Sequence, residues 1–363
     1  MLLALLLARP EVTAQTVVTP RGTPAAKTQP SGGTRLAITV DDLPGTGPEA
    51  GTFTYATIVT DLIRVLRAHG VRHAVGFVIG SILEGRPDRQ AALDAWLQAG
   101  FEVGNHTYKH LSLATAGGSA YLADIDANRP LIESLEKRAG QRVHYFRPPF
   151  LDEGPTEADR RALADYLTAH DYQMARVSMD FADWRYAYPY VRCLNHGDQH
   201  GLALLQRQYL AGASAALAWS TVAAQQVVGH PITQVLLVHA TIITSQMLDA
   251  LLTAFDNAGV HYASLAEALS YDIYTAKYDV SGTTVFVQAS HKLGHPYPSP
   301  PRPRWRCSIT SAETETGQWL PVLGHASEEL PFPLTRPSAA RPIEGTCRPR
   351  AAQTRAAAPP GCS

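Results

Sequence analysis

Between residues 35 and 275 the sequence repeats one unit: a short apolar run, a polar loop, a stretch with apolar residues at helical spacing, and a glycine. This repetition limits the chain to a small set of folds. Apolar runs at 36–40, 73–78, 101–103, 143–146, 172–177, 234–238 and 260–263 are too short for helices and read as seven strands. Helical periodicity falls between them, at 55–69, 89–99, 121–139, 156–170, 199–228 and 246–258. Several of these stretches end at a glycine (Gly70, Gly100, Gly140, Gly259), which is suited to the left-handed residue that closes a helix. Strands alternating with helices imply parallel pairing through right-handed crossovers, hence an open doubly wound sheet or a closed barrel. Seven units in this span favour an α/β fold of the (β/α)7 barrel kind. In either architecture the reactive side chains are expected in loops after the strand C-termini.

Composition narrows the function classes. The 363 residues carry 31 Lys+Arg against 32 Asp+Glu, a formal charge of −1, so no general positive field draws in nucleic acid or an anionic membrane. Three of the four cysteines (Cys307, Cys347, Cys362) lie beyond residue 298, and the body, with Cys193 alone, is not a disulfide scaffold. No segment is apolar for long enough to span a bilayer. The run MLLALLLA followed by Val12-Thr13-Ala14 has the small residues of a cleavage site, and predicts a signal peptide over 1–14 and an exported, periplasmic or secreted protein, although no Lys or Arg precedes the run. Residues 15–34 have linker composition. The barrel is expected over 35–280, followed by a C-terminal extension over 281–363. The latter is expected to be largely disordered after 298, because 299–363 hold 11 of the 26 prolines and almost no periodic apolar pattern; an altered reading frame would look similar.

The reactive residue types do follow strands. Asp41-Asp42 comes after the first, Asn105-His106-Thr107-Tyr108-Lys109-His110 after the third, Arg147-Pro148-Pro149-Phe150 after the fourth and Asp180-Phe181-Ala182-Asp183-Trp184 after the fifth; the sixth ends on His239. His106 and His110 share a face if their segment makes a helical turn, and two imidazoles can then converge on one ion; two unrelated loop histidines have the same spacing. Adjacent residues at a strand end point to opposite sides, so one aspartate of the pair can bind metal and the other can act as a base, although an acidic turn before Pro44 reads the same way. Arg147, stiffened by two prolines, suits a bidentate carboxylate contact or a surface turn. Asp183-Trp184 pairs a carboxylate with an aromatic that can stack on a sugar or simply pack, and His239 is either a core histidine or a general acid.

Taken together and in order, the five segments resemble the motifs of the polysaccharide deacetylases, the NodB-homology group of carbohydrate esterase family four. Thr39–Asp42 matches T-[FV]-D-D, His106–His110 matches H-[ST]-x-x-H, Arg147–Phe150 matches R-P-P-[FYW], Asp180–Trp184 matches D-x-x-D-W and Leu236–His239 matches L-x-x-H. The resemblance implies an irregular (β/α)7 barrel and one divalent metal, zinc or else cobalt or nickel, held by Asp42, His106 and His110. It implies Asp41 as general base oriented by Arg147, and His239 as general acid tuned by Asp183. It places Trp184 and Phe150 at the substrate, with a backbone N–H near Phe150 on the oxyanion. The implied reaction removes acetyl groups from N-acetylated sugars. An O-acetyl ester hydrolase on the same site and a non-catalytic carbohydrate-binding envelope protein remain alternatives. Valine at position 40, Ala240 after the last histidine and a long insert at about 185–230 depart from the commoner pattern.

Overall fold

The computed structural model describes residues 33–294. The predicted signal peptide, the linker up to 32 and the tail beyond 294 lie outside the described residues. The strands are β1 (Arg35–Leu43), β2 (Val75–Val78), β3 (Glu102–Asn105), β4 (His144–Phe146), β5 (Tyr172–Met174), β6 (Gln234–His239) and β7 (His261–Ala263), one at each predicted position. Helices α1 (Tyr55–Ala68), α2 (Pro87–Gln98), α3 (Leu113–Ala116), α4 (Gly118–Ala139) and α5 (Glu157–Ala169) connect the first five strands. The insert forms α6 (Ala187–Asn195) and α7 (Gln199–Val227); α8 (Ile242–Asn257), α9 (Leu265–Ala268), α10 (Asp272–Thr275) and α11 (Val285–Leu293) complete the helices of the described residues.

All strand pairs are parallel, in the order β5-β4-β3-β2-β1-β6, with β7 beside the first residues of β1. The sheet curls until its ends approach. Beyond β5, the Ser178 and Met179 N–H groups donate to Val235 O at 3.2 and 3.0 Å, and Leu237 N–H donates to Met179 O at 3.0 Å. A single parallel bridge, Met179 to Leu236, is thus the seam of an irregular (β/α)7 barrel.

Period-two alternation sorts most strand residues into two cores, while Phe146 and Tyr172 join a third with α3, α4 and α5. Leu36, Ile38, Val40, Leu236 and Val238 pack outward with α1 and α8. Ala37, Val75, Phe77, Tyr145, Val235 and Leu237 form the other cluster, together with Trp219 and Ala223 of α7 and Val285 and Phe286 of α11. Because α11 buries Val285 and Phe286 in this cluster, the folded body runs past residue 280, where the sequence analysis ended the barrel. The apolar residues of α11 sit on one face of a helix too short to show a long period, which hid its role.

Among the described residues no helix is long and apolar enough to cross a membrane. Gly104 of β3 leaves room where a side chain has none. A Cβ there would lie 2.5 Å from the Phe77 ring and 3.0 Å from the Tyr145 carbonyl. Gly104→Ala is therefore expected to destabilise the protein by about 1–3 kcal/mol, as overpacking of a filled core does, measured by urea denaturation against wild type.

Candidate metal and catalytic site

The site is built at the C-terminal end of the sheet from the loops after β1, β3, β4, β5 and β6. At Asp42 the backbone enters the left-handed region, with φ of 61°, and the pairing of β1 with β2 shifts register between Val40 and Leu43. This irregularity defeats the strict alternation expected of adjacent strand residues. Instead of facing opposite sides, both carboxylates reach one imidazole: His106 Nε2 is 3.3 Å from Asp42 Oδ1 and 3.7 Å from Asp41 Oδ2.

The segment carrying His106 and His110 is likewise not a helical turn. Thr107 and His110 have φ of 60° and 57°, and the rings meet edge to face with centroids 5.0 Å apart. Convergence comes from an irregular loop rather than from helical spacing. His110 Nε2 lies 3.2 Å from the same Asp42 Oδ1.

The donor set fits a divalent cation. His106 Nδ1 lies 2.8 Å from Arg147 O, and only a protonated Nδ1 can hydrogen-bond a carbonyl, so in the neutral ring Nε2 presents a bare lone pair to Asp42. Asp42 Oδ1 is buried and has no hydrogen-bond partner. Lone pairs facing one another in a buried site repel unless a cation lies between them. Spacings of 3.2–3.3 Å also match the edge of a tetrahedron with metal–ligand bonds of about 2.0–2.1 Å. Asp42, His106 and His110 are the one such group of three among the described residues. Without a metal, burial pushes the Asp42 carboxyl up, but a positive charge on the His110 and His106 imidazoles outweighs it and holds the carboxyl well below its ordinary range, as a bound cation also would.

Beside this cluster Arg147 is wholly buried. Its Nη1 donates to Asp41 Oδ1 and to Thr39 Oγ1, each at 2.7 Å, and its Nε to Ala175 O at 2.8 Å. The Phe77 ring lies 4.2 Å from the guanidinium carbon. Burial lowers the Arg147 pKa and Asp41 opposes this. Asp41 is thereby held in one orientation.

His239 is the residue of β6 paired directly with Asp41 of β1. Its Nδ1 lies 2.7 Å from Asp183 Oδ1, leaving Nε2 for other partners. Asp183 is fully buried, and its Oδ2 accepts from the His239 N–H at 2.7 Å and from Thr244 Oγ1 at 3.0 Å. Burial alone would lower the His239 pKa, but the Asp183 carboxylate, with Asp42 and Asp41 behind it, raises it to about 10. Two large side chains remain open to solvent at the same end: Phe150, 51% exposed and edge-on to His110 at 4.7 Å, and Trp184, 42% exposed beneath the Arg185 guanidinium at 5.0 Å.

The residues singled out in the sequence thus gather at this end, Asp41, Asp42 and His239 on the last residues of β1 and β6 and the others in the loops after β3, β4 and β5. The structure adds residues the motifs did not assign. Thr39 relays Arg147 to the Leu236 carbonyl at 2.6 Å, Thr244 holds Asp183, and Tyr209 of the insert donates to Thr244 Oγ1 at 3.2 Å. Only Thr39 had a sequence signal, its place two residues before Asp41 on the same strand face. The other two act across the fold.

Comparison with known families decides the relationship. The family model described as polysaccharide deacetylase matches residues 28–174. This region belongs to the polysaccharide deacetylase family. The matched stretch includes Asp41, Asp42, His106, His110, Arg147 and Phe150; Asp183, Trp184 and His239 follow it. No curated protein matches the chain. Solved structures similar to it include a carbohydrate esterase family four pseudoenzyme from Bacillus anthracis, with 17% identity over 65% of this chain and 66% of that one and a TM-score of 0.45. A peptidoglycan deacetylase from Bacillus subtilis shows 18% identity over 67% of this chain and 92% of that one, with a TM-score of 0.43. A domain of a multidomain xylanase from the hindgut metagenome of Trinervitermes trinervoides shows 15% identity over 69% and 95%, with a TM-score of 0.43.

Beyond the matched stretch, the His239 proton depends on Asp183. In Asp183→Asn the imidazole pKa, followed by NMR titration of the metal-free protein, is expected to fall from about 10 toward the ordinary 6.5, because burial then has less to oppose it.

Proposed function

We propose that the protein is a metal-dependent hydrolase that removes acetyl groups from N-acetylated sugars of a polysaccharide or oligosaccharide. The observation that carries this reading is an acid and a base on paired strand residues, Asp41 and His239, beside the triad of possible metal ligands. Binding a sugar requires neither; hydrolysing an amide requires both.

Asp42, His106 and His110 would hold the ion, zinc or else cobalt or nickel. A divalent ion there supplies Lewis acidity, making water a stronger acid and polarising an acyl oxygen. Asp41, fixed by Arg147, accepts the proton of the attacking water. An amine is a poor leaving group until protonated. His239 would supply that proton from Nε2, because Asp183 engages Nδ1 at 2.7 Å and favours the protonated ring. The raised pKa favours the amide over the ester reading, since an ester's leaving group demands less acid help. Phe150 and Trp184 offer exposed rings on which sugar faces can stack.

Asp41→Asn is expected to lower turnover by at least about a hundredfold, the scale of general base catalysis, while zinc stays bound. Asp42→Ala and His106→Ala are expected to lose zinc, measured by metal content after dialysis. Equal zinc loss in all three would contradict the division between base and ligand. The reaction itself is checked by acetate release from chitooligosaccharides, peptidoglycan and acetylxylan with added zinc, cobalt or nickel. Release from the first two in preference to acetylxylan is expected, and exclusive release from acetylxylan would replace the amide reading with the ester one.

A further inference from the structure

The loop that carries both histidine ligands holds an uncommon backbone. Thr107 and His110 both have φ near +60°. For a β-branched threonine this region is a genuine outlier, which persists only where the surroundings over-determine it. Three buried polar side chains outside the ligand set supply that constraint, and two of them come from a helix that touches neither ligand in sequence.

Asn105, the last residue of β3, is fully buried and makes every hydrogen bond available to its amide group. Its Oδ1 accepts from the Thr107 N–H at 2.9 Å and from Asn128 Nδ2 at 3.0 Å; its Nδ2 donates to Ile125 O and to Tyr172 Oη, each at 3.1 Å. Asn128 of α4, also fully buried, donates in addition to Val78 O at the end of β2, at 2.9 Å. One turn earlier on the same helix, Asp124 accepts the Lys109 N–H at Oδ2 at 2.9 Å, and its backbone carbonyl accepts the Tyr108 N–H at 3.1 Å. The amides of Thr107, Tyr108 and Lys109, the three residues between the ligands, are therefore all held by this network. Residues 124 and 128, four apart, lie on one face of α4, whose other buried residues are Tyr121, Ile125, Ile132, Leu135 and, near the C-terminal end, Glu136.

Packing does not explain polar atoms there. An apolar residue of similar size would fill either position without needing hydrogen-bond partners, but at 124 it would leave the Lys109 N–H unsatisfied and at 128 it would remove the donor to Asn105 Oδ1 and Val78 O. We propose that Asn105, Asp124 and Asn128 are positioning residues that lock the His106–His110 loop in its metal-binding form before the ion arrives, so that α4 sets the metal affinity. This rests on the metal-dependent reading above.

The test is zinc affinity of the full chain, measured by competition with a chromophoric chelator, together with the visible absorption of the cobalt-loaded protein and thermal melting of the metal-free one. Asp124→Ala and Asn128→Ala are each expected to weaken zinc by about 10–100-fold, the usual effect of removing a group that orients metal ligands, and to alter the cobalt spectrum. Asp124→Asn, whose side-chain oxygen can still accept the Lys109 N–H, is expected to restore most of the affinity. Ile132→Val, on the same buried face, is expected to lower the melting temperature and leave zinc affinity at the wild-type value. A folded Asp124→Ala or Asn128→Ala protein with wild-type zinc affinity and cobalt spectrum would overturn the inference, because a residue that only stabilises the fold behaves like Ile132. A wild-type chain that binds no zinc, cobalt or nickel would overturn the metal reading and this inference together.

Discussion

The buried guanidinium of Arg147 joins more of this site than any other group. One side chain spans β4 to the Ala175 carbonyl after β5 and to Thr39 and Asp41 on β1, while the carbonyl of the same residue fixes the His106 ring. A charge so enclosed is tolerable only when paired, and losing one partner of such a pair typically costs about 3–5 kcal/mol. The carboxylate that would act as base is thus also the counter-ion that lets the arginine stay buried. The proposed chemistry and the burial of Arg147 thus share one contact.

The sheet makes this contact possible. Parallel strands place their C-termini together, so loops far apart in sequence arrive at one end. The ring is closed by a single bridge between the segment after β5 and β6. That seam brings Asp183 to His239, and the insert reinforces it: α7 lends Trp219 to the core and Tyr209 to the hydroxyl that holds Asp183. The insert is therefore part of the scaffold that holds Asp183 against His239 as well as of the surface.

Much of this was legible in residue order. Seven strands were visible as short apolar runs because most are buried on both faces, β5 and β7 with the exposed Gln173 and His261 being the exceptions, and the reactive residues were visible because they stand where those runs end. What misled was geometry at the ends of strands. Asp42 leaves the strand conformation, so adjacent carboxylates converge; the H-x3-H spacing works through two left-handed residues rather than a helical turn. Periodicity describes regular backbone, and these residues are useful because they depart from it. The reach of the folded body to α11 was hidden for a related reason: nine residues show one buried face only once there is something to bury it against.

The sequence by itself determined the class of fold and the residue types of the site, because both follow from local rules: alternation of apolar runs, glycine stops, and side-chain chemistry at fixed places. The tertiary structure alone decided which carboxylate faces the imidazoles, which tautomer His106 adopts, how strongly Asp183 holds a proton on His239 and which residues of α4 grip the ligand loop. Each of these depends on a distance between atoms remote along the chain. Coulombic and hydrogen-bond energies vary with that distance and with burial, neither of which a linear pattern contains.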